Sequence, residues 1–263
     1  MAATLQLTHI ALRVSDLARS RAFYVDRLGF VVVAAVADRV TLATAAGAES
    51  ILTLLPASEP VAEQHAQRPT AGLFHAALLF PSRPALASWL AFAAERQVEF
   101  DGFSDHGVSE ALYFSDPDGN GLEFYADRPK AQWPYSGSEV AMGTLPLDVQ
   151  ALLAGATPTA TPLAGAVWGH LHLRVTDLAR SERYYRETLG VVVTQSSYPG
   201  ARFLAADGYH HHLGLNTWGN PHAPQPAGTP GLAHATFAVA SVTEPREVSD
   251  PDAISLRLEP LRQ

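Results

Sequence analysis

Residues 9–33 read HIALRVSDLARSRAFYVDRLGFVVV, and residues 170–194 read HLHLRVTDLARSERYYRETLGVVVT. Aligned without gaps, 14 of these 25 positions are identical, so the chain is built from two homologous halves. Two further matches follow in the same order. Gly72-Leu73-Phe74-His75-Ala76 pairs with Gly231-Leu232-Ala233-His234-Ala235, and Ser115-Asp116-Pro117-Asp118 with Ser249-Asp250-Pro251-Asp252.

Each repeat reads as a strand, a helix and more strands. From His9 to Val14 the apolar residues Ile10, Leu12 and Val14 alternate with His9, Ala11 and Arg13, the period of a strand. Ser15 or Asp16 can cap the helix that follows, in which Leu17, Phe23, Tyr24 and Leu28 keep roughly helical spacing; Gly29 stops it. Strands are predicted at residues 30–35, 40–43 and 51–55. A second unit follows: a strand at 76–80, a helix at 83–96 with Leu86, Leu90 and Phe92 inward, and strands at 111–114 and 121–125 joined by the turn Asp116-Pro117-Asp118-Gly119. Residues 129–166, with their Pro, Gly and Ala, read as a linker with a short helix near Asp148 to Leu153. The expected domains are therefore 1–128 and 167–263.

Composition narrows the function. The net charge of −8 and the lack of any basic run argue against nucleic acid or an anionic membrane surface as partner. No apolar stretch reaches 18 residues, and the first residues show no leader pattern, so a cytoplasmic location is expected. With no Cys, disulfides, thiolate metal sites and thiol catalysis are excluded. No Gly-rich phosphate loop is present. The eleven His are where chemistry is to be sought.

Two strand-helix-strands modules per domain, each opening with a His on its first strand, resemble the vicinal-oxygen-chelate superfamily. The segments that carry the likeness are Leu7-Thr8-His9 with its helix, Gly72 to His75, and Ser115 to Tyr125. The resemblance implies an α+β fold of two tandem domains, each of paired βαβββ modules forming an open barrel around a metal. The stretch HGVSEALYFSDPDGNGLE, His106 to Glu123, is similar to the signature of the extradiol ring-cleaving branch, the catechol 2,3-dioxygenase type, although Ser104 departs from it. By that likeness His9, His75 and Glu123 are the metal ligands of the first domain, and His106 and Tyr113 act beside the substrate. Two imidazoles and one carboxylate form the facial triad of non-haem Fe(II) oxygenases, and its three open positions suit a diol and O2. The implied reaction is cleavage of a catechol-like aromatic diol by Fe(II) and O2. The family's habit implies a homodimer.

The second half keeps His170 and His234 and adds His172 and His210-His211-His212, a stretch similar to one that supplies an acid–base His in such enzymes. In a strand His211 would point away from His210 and His212. Arg257, however, stands where the first half has Glu123, and a guanidinium cannot replace a metal-binding carboxylate. Glu259 could substitute only after a register shift. The interval from His234 to Asp250 is also much shorter than that from His75 to Asp116. The last module is therefore expected to be truncated, or residues are missing from it, and His170, His211, His212, His234 and Glu259 form an alternative site. Two other readings stay open. A glyoxalase-like lyase or isomerase using Zn(II), Ni(II) or Mn(II) would want a further Glu or Gln on the strand at 51–55, which offers none, with Glu49 at its edge. A binder of the bleomycin-resistance kind would hold an aromatic ligand without a triad.

Overall fold

The computed structural model describes residues 4–60 and 70–262. The first module runs β1 (Leu5–Val14), α1 (Leu17–Ala22) with a π-helical turn over Phe23–Arg27, β2 (Val31–Val36), β3 (Arg39–Ala43) and β4 (Leu52–Pro56). The second runs β5 (Gly72–Leu79), α2 (Arg83–Glu95), β6 (Gly102–Asp105), β7 (Ser109–Ser115) and β8 (Gly121–Asp127). The connection holds the short strands β9 (Tyr135–Ser136), β10 (Glu139–Val140) and β11 (Leu145–Pro146), and α3 (Val149–Leu153) capped by Asp148. The third module is β12 (Val167–Arg174), α4 (Leu178–Leu189), β13 (Val192–Gln195), β14 (Ala201–Ala205) and β15 (Leu213–Asn216). The fourth has only β16 (Gly231–Val239), β17 (Arg246–Ser249) and β18 (Ser255–Pro260). Residues 240–245 take the place of the missing helix and strand, which accounts for the short interval between His234 and Asp250.

The fold is α+β and mostly strand. It contains two large curled sheets, one ordered β17-β18-β16-β1-β4-β3-β2 and the other β11-β6-β7-β8-β5-β12-β15-β14-β13. The reading from sequence pairs the modules within each half. The sheets pair them across the halves: β1 of the first module lies antiparallel to β16 of the fourth, and β5 of the second to β12 of the third. Among the described residues no helix is long and apolar enough to cross a membrane.

The repeated Ser-Asp-Pro-Asp turns tie the modules of each half together. Asp116 receives its own turn's amides from Asp118 and Asn120 and the hydroxyl of Tyr24 at 3.1 Å, while Asp118 takes up Ser15 and Arg19 at the start of α1. The second half repeats the arrangement: Tyr185 donates to Asp250 at 2.9 Å, and Thr176 and Arg180 donate to Asp252. Asp16 and Asp177 cap α1 and α4 by accepting amides of the first turn, and Gly190 ends α4 in the left-handed region at φ 70°.

Alternation along the strands then sorts the side chains. Leu122 and Phe124 of β8, Ala76 and Leu78 of β5, and Leu171 and Leu173 of β12 enter the main core, where Trp89 of α2 packs on Phe114 and Phe124. Their neighbours Glu123, His75, Ala77, His170 and His172 are left to the concave face of the longer sheet.

Candidate metal centre

β5 is the central strand of the site. On one side Ala77 is in register with Glu123 of β8, and on the other with His170 of β12. The Ala77 methyl is small enough for Glu123 and His170 to meet above it, with His170 Nε2 3.1 Å from Glu123 Oε2. His75, two residues earlier on the same face of β5, brings its Nε2 to 2.9 Å from the same oxygen. The three side chains are buried, at 6, 2 and 1% exposure for His75, Glu123 and His170, and their donor atoms all lie within 4.8 Å of one another.

These contacts are those of a metal site more than of an ion pair. His75 Nε2, close as it is, has no directed hydrogen bond, and His170 Nδ1 and His172 Nε2 also lack a partner among the described residues. Such orphaned buried nitrogens each cost about 1–3 kcal/mol unless something else occupies their lone pairs. Two imidazole nitrogens and one carboxylate oxygen converging at this range fit a divalent ion. Burial pushes the Glu123 carboxyl up, but His170 and His75 beside it outweigh that and hold it well below the usual carboxylate range, so an anionic donor is present. Burial is also the main cause that lowers His170 to about 4 and leaves the neutral imidazole a metal requires.

His9, expected beside His75 and Glu123, lies in the other sheet. Its Nε2 is 3.0 Å from Thr53 Oγ1 and its ring stacks on His234 at 6.1 Å between centroids. The cause is the pairing across halves: the strand beside β5 is β12, so the repeat-equivalent His170 occupies the place. The alternative second-half set is split by the same topology. His234 belongs to the sheet of His9, Glu259 is exposed there on β18, and Arg257 pairs with Glu247 at 2.9 Å. His212 turns away to accept the Ala206 amide at 3.2 Å. The His210–His212 run is a bend before β15 and not strand, yet His211 does face the cavity beside the triad.

Around the donors the concave face encloses a cavity of about 450 Å³, with Phe74, Phe203 and Trp218 among its walls. Tyr113 stands opposite Glu123 on β7. His106 Nδ1–H donates to the Gly143 carbonyl at 2.6 Å, which leaves Nε2 to accept the Tyr113 hydroxyl at 2.7 Å. Burial raises the Tyr113 phenol well above its ordinary value, and the Glu123 charge adds to this. On the other wall His211 packs on His170 at 4.0 Å between centroids. His210, fully buried, donates from Nε2 to Asp127 at 2.9 Å and meets His211 Nδ1 through its own Nδ1 at 2.7 Å. Asp127 and His210 thus fix the His211 ring from behind. The sequence offered His210 only as part of the three-His run and gave no sign of Asp127.

A family model described as glyoxalase/bleomycin resistance protein/dioxygenase superfamily matches residues 6–124 and 168–246. The chain belongs to this superfamily. A relative named catechol-2,3-dioxygenase from Bacillus subtilis (strain 168) is 39% identical over 241 residues, covering 88% of this chain and 83% of the relative. Among solved structures, one from Bacillus subtilis subsp. subtilis matches 98% of this chain and 86% of its own with a TM-score of 0.64 at 13% identity. Glyoxalase I from Zea mays matches 98% and 92% with a TM-score of 0.55 at 14% identity. At these identities the structures speak for the superfamily fold alone.

Three partly buried imidazoles outside the triad carry a consequence for stability. His9, His212 and His234 are each lowered to about 4, in every case chiefly by burial, with Arg257 adding to the effect at His9 and His234 and His210 at His212. In the unfolded chain such groups titrate near 6.5, so between pH 6.5 and about 4 the unfolded state binds more protons and stability falls as pH falls. Such a group contributes a slope of at most about 1.4 kcal/mol per pH unit, and these three, all partly exposed, contribute less. The urea midpoint at pH 5 is expected well below that at pH 7.5; equal midpoints would contradict the burial of these imidazoles as neutral groups.

Proposed function

We propose that the protein is an extradiol dioxygenase that cleaves the ring of a catechol-like aromatic diol with Fe(II) and O2, and that His75, Glu123 and His170 hold the ion. The observation that carries this reading is the buried triad of two His and one Glu, of which His75 and Glu123 line an aromatic-walled cavity. The 39% identical relative named as a catechol-2,3-dioxygenase supports it. The lyase alternative wants a fourth protein ligand, and β15, the corresponding strand of this barrel, reads Leu-Gly-Leu-Asn with neither Glu nor Gln.

The bound ion would supply charge to stabilise the ionised diol and a site for O2, and the rest falls to the protein's residues. Phe74 and Trp218 give the ring flat walls and exclude water. With His210 Nε2–H committed to Asp127, His210 Nδ1 accepts from His211 Nδ1–H, and His211 Nε2 is left as a base toward the cavity. Burial first, and the neighbouring imidazoles, lower His211 well below its ordinary value, so it stands neutral with Nε2 free to accept a hydrogen bond from a diol hydroxyl. On the opposite wall the Tyr113 phenol, kept protonated, and His106 behind it can donate a hydrogen bond to an oxygen that gains charge. We also infer a cytoplasmic location, which the lack of Cys supports.

The test compares His170→Ala with His9→Ala after anaerobic loading with Fe(II). His170→Ala is expected to lose bound iron and the yellow ring-cleavage chromophore formed from catechol in air. His9→Ala is expected to keep about one iron per chain and near-normal turnover. The reverse pattern would move the centre to the other sheet, and iron binding without chromophore from any diol would sink the ring-cleavage reading.

A further inference from the structure

Beyond the donors, the cavity wall carries a cation that the proposed chemistry does not use. β12 presents His170, His172 and Arg174 in a row on one face, and all but the first are in contact with the same cavity. The Arg174 guanidinium carbon stands 4.7 Å from the centre of the Phe74 ring, and Nη1 donates to the Leu73 carbonyl at 3.2 Å. Phe74 is itself braced edge-on by His172 at 5.1 Å and Trp218 at 5.3 Å. Among the described residues no carboxylate lies within 4.0 Å of Arg174, and burial alone lowers its pKa. A guanidinium stays charged in proteins and has five N–H donors, so a half-buried one with a single backbone acceptor has charge and donors to spare.

The repeat supplies an internal control. The first-half counterpart of Arg174 is Arg13, but there the counterpart of Phe74 is Ala233, so the aromatic clamp is confined to the sheet that holds the triad. Distance also matters. Arg174 lies four residues beyond His170 on β12, about 13 Å of backbone, so the cation is set apart from the triad along the same wall. The cavity volume of about 450 Å³ accommodates a ring with a short arm. Asp101, on another part of the wall and accepting from Ser115 Oγ at 2.9 Å, disfavours a negative arm on its own side.

We propose that Arg174 recognises an acidic substituent, and that the substrate is an aromatic diol bearing a carboxylate on a short arm. This deepens the ring-cleavage reading and rests on it. The fork of the guanidinium fits a carboxylate through two parallel hydrogen bonds while the diol faces the triad.

The test uses 3,4-dihydroxyphenylacetate and its uncharged methyl ester on the iron-loaded protein, with catechol as the control for ring cleavage. The wild type is expected to favour the acid over the ester by tenfold or more in kcat/KM. In Arg174→Met that ratio falls to near one, and in Arg174→Lys it recovers in part, because charge returns without the fork. A ratio near one in the wild type, or one that survives in Arg174→Met, overturns the proposal. If none of the three diols is cleaved, the ring-cleavage reading fails on its own account. Calorimetric binding of the acid and the ester to the metal-free protein then decides the role of Arg174: tighter binding of the acid that Arg174→Met abolishes supports it, and equal binding of the two overturns it.

Discussion

Glu123→Gln protein is expected to purify almost without metal. Glutamine keeps the shape of the side chain and removes the only anionic donor, in a pocket where burial otherwise strengthens its pull on a cation. Loss of even a partner behind a ligand weakens metal affinity 10–100-fold in comparable sites, so loss of the carboxylate itself should cost at least about a hundredfold. The thermal readout is independent of turnover. Metal at a thousand times its Kd stabilises the wild type by about 4 kcal/mol, and the same concentration, only about ten times the variant's Kd after a hundredfold loss, should stabilise the variant by no more than about 1.4 kcal/mol. Metal analysis and melting curves with and without Fe(II) check both statements. Full occupancy in Glu123→Gln would falsify the assignment of this carboxylate.

Gly121→Ala is expected to be the most damaging single methyl added to the chain. A Cβ on Gly121, at the start of β8, would overlap the carbonyl oxygen of Phe74 and press to 3.2 Å on Cβ of His75. The obstacle is backbone, so the strands must move apart, and overpacking of this kind costs about 1–3 kcal/mol or more. For a chain of this size that is a fall of roughly 2–4 °C per kcal/mol in melting temperature. The displacement acts directly on His75, so metal affinity should fall with stability. Gly102→Ala is the control for lost backbone freedom alone, because Gly102, like Gly121, does not need a positive φ, and an added methyl there meets nothing within 4 Å. A Gly121→Ala protein that melts and binds metal like the wild type would show that β8 and β5 do not need this close approach.

The module plan was legible because it is written twice. Periodicity located β1, β4, β5, β7, β8, α1 and α2, and the repeat carried those assignments to the second half. The short interval before Asp250 marked the fourth module as reduced, which the structure shows as two strands after β16. Which module pairs with which was not legible. Every first strand carries the same alternation, and hydrogen bonds between strands leave no trace in local sequence. His9 and His170 were therefore equivalent on the page, and only the sheet order separates them. One signal pointed the right way. Inward polar residues accumulate in the second and third modules, at His75, Tyr113, Glu123, His170, His172 and His211, whereas His172 is matched by Ala11 in the first module. Polar side chains gathered on two modules are easier to satisfy if those modules face each other. The roles of Asp127 and His210 were invisible for a different reason: they depend on a contact between residues 83 apart, made through side-chain direction alone.

Because the donors sit at positions 75, 123 and 170, the site is completed only after the segment joining the halves has been made. A nascent chain that has released β8 from the ribosome already displays His75 and Glu123 but has no third donor. If the triad holds the ion as proposed, the first half cannot retain it in the manner of the finished protein, and metal binding would wait on synthesis of β12. A chain divided within residues 141–144, between β10 and β11, would place two donors on one fragment and one on the other, so an ion held by all three would work as a fastener between polypeptides, and reassembly of the fragments would itself report on the metal.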